Sequence, residues 1–359
     1  MTECNLTSKS LVMAALQGLP VSRVPVGPLA VHYCAGLAGY SLRQYTTAPR
    51  CLVESVLKYY ERFRPDAIWV SADTWVTAEA MGAKVGAVGD QQPFGGLGQP
   101  LVQTVADIDR IPAPDIGCQG RCPLMLEALE RIVRELQQQV FIVACFDQYP
   151  FSLAAALMGI NELMLKVHDD PPFVAALMAR CEEYALAYGA ALGRAGADLL
   201  SGGDSPAVLV GPKLYEQMVL PAEANLIRQL KSIANKPVSL HICGNTTRIL
   251  SRMAASGADV LELDHAVDLG IAGRLVDPGI AIWGNLDPVG VLARGTPEVV
   301  TAAAGHAMAA MKTAGHSRFV LSSGCTLAME TPVANLDALL GASAGWKIKE
   351  TITGPDPQL

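Results

Sequence analysis

The sequence predicts an α/β protein built as a (β/α)8 TIM barrel, one domain over residues 1–359 with a helical N-terminal extension over about residues 1–65. Three observations predict it. Short apolar runs of β type alternate with longer stretches of helical spacing, the pattern of a mainly parallel sheet with right-handed crossovers. No G-x-G-x-x-G follows the first run, so an open dinucleotide-binding sheet lacks its fingerprint. Polar residues fall just past the ends of successive runs, as they do where a barrel gathers its strand ends at one mouth.

The runs are 67–70, 141–145, 198–201, 237–242, 259–263, 280–283 and 318–322. Helical spacing covers 8–17 and 50–63 before them, then 122–138, 152–159, 173–194, 212–234, 246–256, 296–314 and 332–341. Gly18 and Pro20 end the first helix. The segment from Val24 to Pro49 reads as irregular, broken by Gly27, Pro28, Gly36 and Gly39. Residues 75–120 form a Gly/Pro-rich stretch that reads as an insertion or lid. The strand-end polar residues are Asp73, Asp147, Asp204, His241 with Cys243, Asp264, Asn285 with Asp287, and Cys325.

Composition narrows the function classes. Of 359 residues, 51% are hydrophobic and 17% charged, which suits a large buried sheet and excludes a disordered chain. The formal charge is −7 with no basic stripe, so nucleic acid is not an expected partner. No apolar run reaches the ~18–20 residues of a membrane helix, and no signal peptide is read at the N-terminus. Nine cysteines without framework spacing then suggest a cytoplasmic chain with reduced thiols.

The sharpest motif is His241-x-Cys243 with a distant Cys325 inside Ser322-Ser-Gly-Cys-Thr. Each element ends a predicted strand and enters a glycine turn. Two thiolates and an imidazole make the ligand set of a tetrahedral zinc site with one position left for substrate. The alternative is three ordinary core residues at strand ends, and spacing alone leaves both open. Asn285-Leu-Asp287-Pro reads as a turn former.

HICGNTTRIL (241–250), MAASGADVLELDHAVDL (253–269), IAIWGNLDPVGVL (280–292) and FVLSSGCTLAMETPVANLDAL (319–339) resemble the uroporphyrinogen decarboxylase superfamily. More closely they resemble its branch of zinc-dependent, corrinoid-linked methyltransferases, which includes the methylcobamide:coenzyme M methyltransferases. The resemblance runs from about Ser8 to Trp346 and is strongest after residue 195. It implies a TIM barrel with Zn2+ on His241, Cys243 and Cys325. It also implies methylcobalamin or another corrinoid as co-substrate, carried by a separate protein that binds transiently. No Asp-x-His-x-x-Gly cobalamin motif occurs in this chain. The small substrate is then a thiol such as coenzyme M or a methyl donor such as an aryl methyl ether.

Two departures separate this chain from the decarboxylases it resembles. Their Arg-rich segment near the N-terminus is replaced by PLAVHYCAGLAGYSLRQY (28–45), so the guanidinium forks that a polycarboxylate tetrapyrrole needs are missing. Where decarboxylases carry His in the last strand-end turn, this chain has Cys325. Asp73 lines up with the decarboxylase catalytic Asp, as inherited scaffold or as a substrate contact. Asp264, and behind it Glu262, are candidates for the remaining zinc position; the alternative for Asp264 is a hydrogen-bonded loop acid or helix cap. His32, Tyr33, Trp75, Tyr149 and Asp204 are candidate substrate contacts, with Trp69 and Phe151 as further aromatics of the mouth, or else core packing. Asp204-Ser205-Pro206 matches a turn shared across the superfamily. Two other functions stay in view: tetrapyrrole decarboxylation, and a non-catalytic corrinoid-protein partner with a structural zinc.

Overall fold

A computed structural model describes residues 7–87, 89–95, 99–136 and 138–344. The chain forms one parallel sheet whose strands lie side by side in sequence order. They are β1 (Ala67–Val70), β2 (Phe141–Gln148), β3 (Leu199–Gly203), β4 (Ser239–Ile242), β5 (Val260–Leu263), β6 (Ala281–Leu286) and β7 (Phe319–Ser323). All seven runs read from the sequence are strands, each shifted by a few residues at most.

Eight strand–helix units were expected, and the described residues contain seven strands. Between β7 and β1 lies the segment Pro25–Gly27. Val26 makes a parallel bridge to Leu321, Gly27 N donates to Leu321 O at 2.9 Å, and Asp66 N donates to Val26 O at 2.9 Å. Pro25 and Pro28 have no N–H to give a ladder, which limits this segment to a single bridge.

The N-terminal region is helical: α1 (Ser8–Leu16), α2 (Val31–Ala38), α3 (Leu42–Thr47) and α4 (Pro49–Phe63). Thr7 caps α1, accepting from Ser10 N at 3.2 Å. The irregular reading of Val24–Pro49 is corrected by α2 and α3. Gly36 and Gly39 misled it: Gly39, at φ 83, is the left-handed cap that ends α2, and burial of Tyr33, Cys34 and Ala35 overrides the weak helix propensity around Gly36. The predicted helix 212–234 is three pieces, Gly211–Leu214, a π-helical turn Tyr215–Val219 and Leu220–Ala234. Pro221 cannot donate to the preceding turn, and the wider turn before it absorbs the lost bond. Of the 75–120 stretch, residue 88 and residues 96–98 lie outside the described set, and the rest carries short helices at Val76–Ala80 and Val105–Arg110. Residue 137, inside the predicted helix 122–138, and residues 1–6 of the expected extension also lie outside the described set.

Strand side chains alternate between two apolar environments. Ala67, Trp69, Phe141, Val143, Leu199, Val260, Ala281, Trp283 and Val320 form one buried cluster, joined by Val12 of α1. Ile68, Val70, Ile142, Ala144, Leu200, Leu261, Leu263, Ile282 and Leu321 belong to the other, with the helices. The first cluster is a buried apolar floor on one face of the sheet. The Trp69 and Trp283 rings meet edge to face at 6.0 Å, and Trp283 Nε1 donates to Gly27 O at 2.9 Å. Along the same inward rows the next residues are polar: Ser201, Ser239, His241 and Glu262. The polarity change along each strand builds a floor at one end and a reactive mouth at the other. Among the described residues, no single helix is long and apolar enough to cross a membrane.

Candidate metal centre and adjoining cavity

His241 and Cys243 sit where β4 ends, and Cys325 follows β7 by two residues. Both turns need their glycines. Gly244, at φ 87, turns the chain directly after Cys243. Gly324 passes so close to the next loop that a Cβ there would lie 2.4 Å from His265 N; only a residue without a side chain lets the β7 loop approach β5 this way.

The three side chains converge. His241 Nε2 lies 3.0 Å from Cys243 Sγ, and Cys243 Sγ lies 3.9 Å from Cys325 Sγ. All three donor atoms are within 4.8 Å of one another, the one His/Cys/Asp/Glu cluster of metal-binding spacing among the described residues. A tetrahedral ion with Zn–S near 2.3 Å and Zn–N near 2.0 Å has ligand–ligand edges of about 3.5–3.8 Å. The donor set fits such an ion in type, and its separations of 3.0 and 3.9 Å bracket those edges. His241 Nδ1 lies 3.0 Å from the Glu262 carbonyl oxygen, which only accepts, so Nδ1 carries a proton and Nε2 is the ring atom turned toward the sulfurs.

The electrostatics prepare a thiolate. The hydrogen bond from Cys325 outweighs burial and, with His241 and Ser205, holds the Cys243 thiol well below its usual range. Cys325 is correspondingly raised by Cys243. Burial works against charge on His241, yet the neighbouring Cys243 sulfur holds the imidazole up at about 9. Ser205 was not singled out from the sequence, beyond its place in the shared Asp-Ser-Pro turn; it stands on the three-residue stretch that joins this centre to the cavity beside it.

That cavity has a volume of about 740 Å³ and opens over the ends of β1, β2 and β3. Trp75, Leu101, Ala155, Leu157 and Pro206 supply apolar wall, and Asp147, Gln148 and Ser205 supply polar groups. Lys84 is its one basic lining residue among the described residues.

The acidic candidates are held by neighbours. Glu262 is buried and accepts from Ser201 Oγ at 2.8 Å and from Ser239 Oγ; burial raises its pKa. Asp264 accepts from Ala266 N at 2.9 Å and faces His265 Nδ1 at 3.0 Å. Asp73 is buried and ion-paired with Arg121, which also grips Glu79. Asp204 is fully buried, accepts from Ser152 N at 2.7 Å and abuts Glu223, and burial raises both carboxyls. Arg121, Glu79 and Glu223 went unread in the sequence; Arg121 meets Asp73 and Glu79 from more than forty residues away.

Of the aromatic candidates, Trp75 alone lines the cavity. Tyr149 is fully buried and donates to Ser239 O at 2.7 Å. Tyr33 packs on Tyr59 and Phe63, and Phe151 is fully buried. His32 is buried with Nε2 at 2.9 Å from Ala72 O, and burial lowers its pKa. Asn285 and Asp287 act in turns: Asn285 Nδ2 donates to the Asp264 and Val267 carbonyls, and Asp287 caps Val289 N and Gly290 N.

A parallel α/β sheet that gathers two cysteines and a histidine at the carboxyl ends of its strands has the donor set of a metal centre in the place where such folds carry their sites. The chain belongs to the uroporphyrinogen decarboxylase family, whose pattern matches residues 7–346. A methylcobamide:CoM methyltransferase, MtbA of Methanosarcina acetivorans, is 31% identical over 79% of this chain and 80% of its own. A uroporphyrinogen decarboxylase of Geobacter metallireducens is 29% identical over 76% of this chain and 81% of its own. The solved structure of a methyltransferase from Methanosarcina mazei matches with TM-score 0.84 and 25% identity, over 94% of this chain and 98% of that one.

Proposed function

We propose that this protein is a zinc-dependent methyltransferase. It moves a methyl group between a corrinoid held on a separate protein and a small substrate, either a thiol or a methyl ether. The convergence of His241, Cys243 and Cys325 carries this reading. Similarity to methyltransferases that act on methylcobamide and CoM supports it.

His241, Cys243 and Cys325 would hold the ion. When bound, zinc supplies a Lewis acid that lowers the pKa of a substrate thiol, or polarises an ether oxygen, at neutral pH. The protein's residues do the rest. Cys243 enters as a thiolate, His241 is aimed by the Glu262 carbonyl, and two cysteine sulfurs leave the centre with little net charge. Three protein donors and no fourth among the described residues favour a substrate-binding ion over a structural one.

Tetrapyrrole decarboxylation is disfavoured by the cavity, whose described lining has one lysine and no arginine for a polycarboxylate. Asp73, neutralised by Arg121, is also poorly placed to act as an exposed anion. The test is methyl transfer by the zinc-loaded chain in both directions, from methylcobalamin to 2-hydroxyethanethiol and from 2-methoxyphenol to cob(I)alamin. Transfer in either direction that disappears in Cys325→Ala is the expected result. Release of carbon dioxide from uroporphyrinogen without any methyl transfer would contradict it.

A further inference from the structure

The cavity wall contains an unusual corner. The β2–β3 register breaks between Cys145 and Gln148, and within the break Asp147 takes a left-handed backbone conformation, φ 69. Irregularities of this kind re-aim side chains beside functional sites, and a non-glycine residue held there invites a functional explanation. Here the break turns both Asp147 and Gln148 into the cavity lining.

Their bonds are one-sided. Asp147 Oδ2 accepts from Thr77 N at 2.8 Å and from Thr77 Oγ1 at 2.9 Å, and Oδ1 has no hydrogen-bond partner among the described residues. Gln148 Nε2 donates to Thr74 O, and Oε1 has no such partner. Burial, with Asp73 nearby, pushes the Asp147 carboxyl up to about 8. At neutral pH the corner is thus an uncharged acid beside an amide oxygen, set in a wall of Trp75, Leu101, Leu157 and Pro206. That chemistry matches a hydroxyl group, which both gives and takes a hydrogen bond, on an apolar ring. It suits a sulfonate poorly, since Lys84 is exposed at the rim and no guanidinium lines the wall among the described residues.

We propose that Asp147 and Gln148 are specificity-determining residues that bind a hydroxyl group on a ring-bearing substrate, so that the small substrate of the centre is a hydroxylated aryl methyl ether. This rests on the methyltransferase reading for the reaction but not for the binding. The experiment measures binding by calorimetry at pH 7 with two probes that differ only in the hydroxyl, 2-methoxyphenol and methoxybenzene. It uses the full wild-type chain, Asp147→Ala and Gln148→Leu. Wild type should prefer the phenol by about tenfold, the worth of one to two net hydrogen bonds. Each variant should lower that ratio to about threefold or less, with methoxybenzene affinity unchanged within about twofold, which a merely structural role would not produce. Equal affinity of wild type for the two probes, no binding of either, or a ratio unchanged in both variants would overturn the proposal. Gln148→Leu decides the matter if Asp147→Ala fails to fold. Zinc content and methyl transfer between the probe and the corrinoid on the same preparations separate the two conclusions. An active zinc enzyme without hydroxyl preference sinks this inference alone; hydroxyl preference in a chain that takes no zinc sinks the reaction alone.

Discussion

The two halves of the mouth are built on opposite principles. The half over β4 and β7 is compact: three soft donors within 4.8 Å, oriented by one backbone carbonyl and two glycine turns. The half over β1, β2 and β3 is a cavity of about 740 Å³ with mainly apolar walls, where most acids are already paired or capped by their neighbours. The first half offers reactivity to whatever enters, and the second decides what enters. Chemistry that needs few atoms is written locally; selection by shape needs residues from many segments.

The comparison breaks most visibly at the donors. Cys243→Ser or Cys325→Ala should remove the metal and reduce methyl transfer by at least about 10³-fold, with circular dichroism unchanged, because the ligand loss leaves the apolar framework intact. Residual activity near wild type would mean that the reaction belongs to the other half.

Next in size is the ion cluster beneath the cavity. Arg121→Met leaves Asp73 and Glu79 without their guanidinium and should cost about 3–5 kcal/mol in denaturant unfolding. Metal content in the surviving folded fraction should not change. A metal-binding defect in this variant would show that the two halves are coupled.

A smaller effect concerns pH. Asp147 is raised to about 8 in the fold against about 3.9 unfolded. The folded state binds the extra proton between these values, so the contribution of this group is fully present below about 4 and is lost as pH rises through about 8. Asp147→Asn should therefore flatten the fall of the melting temperature between pH 5 and pH 8.5 by a few degrees, read by scanning calorimetry. An identical slope in wild type and variant would place the proton elsewhere, for example on Asp204 and Glu223.

The mildest test is Trp75→Ala, which should weaken methoxybenzene binding about five- to twentyfold through lost ring contact while leaving metal content alone.

What the sequence disclosed follows the same division. His241-x-Cys243 and Cys325 were legible because residue type and strand-end position together state their chemistry. The seven strands were legible because both faces are apolar and the runs are short. Trp75, Tyr149, Tyr33 and His32 were not separable by sequence: an aromatic residue packs inward or lines a wall according to neighbours from other segments, and only Trp75 of these meets the cavity. Asp73 looked like an available acid because Arg121 lies in another helix-forming segment. Asp147 was visible as a strand-end acid, but its register break depends on the pairing of β2 with β3, and its raised pKa comes from burial and from Asp73, neither of which a local pattern encodes. The helix α2 was hidden by its own glycines.

The central claim is that His241, Cys243 and Cys325 form one metal centre. Elemental analysis of the purified chain tests it most directly, alongside Cys243→Ala and Cys325→Ala. The account predicts about one zinc per chain in wild type and almost none in either variant, with all three folded alike. A folded wild type that takes up no metal when zinc is supplied, or variants that retain it in full, would contradict the account.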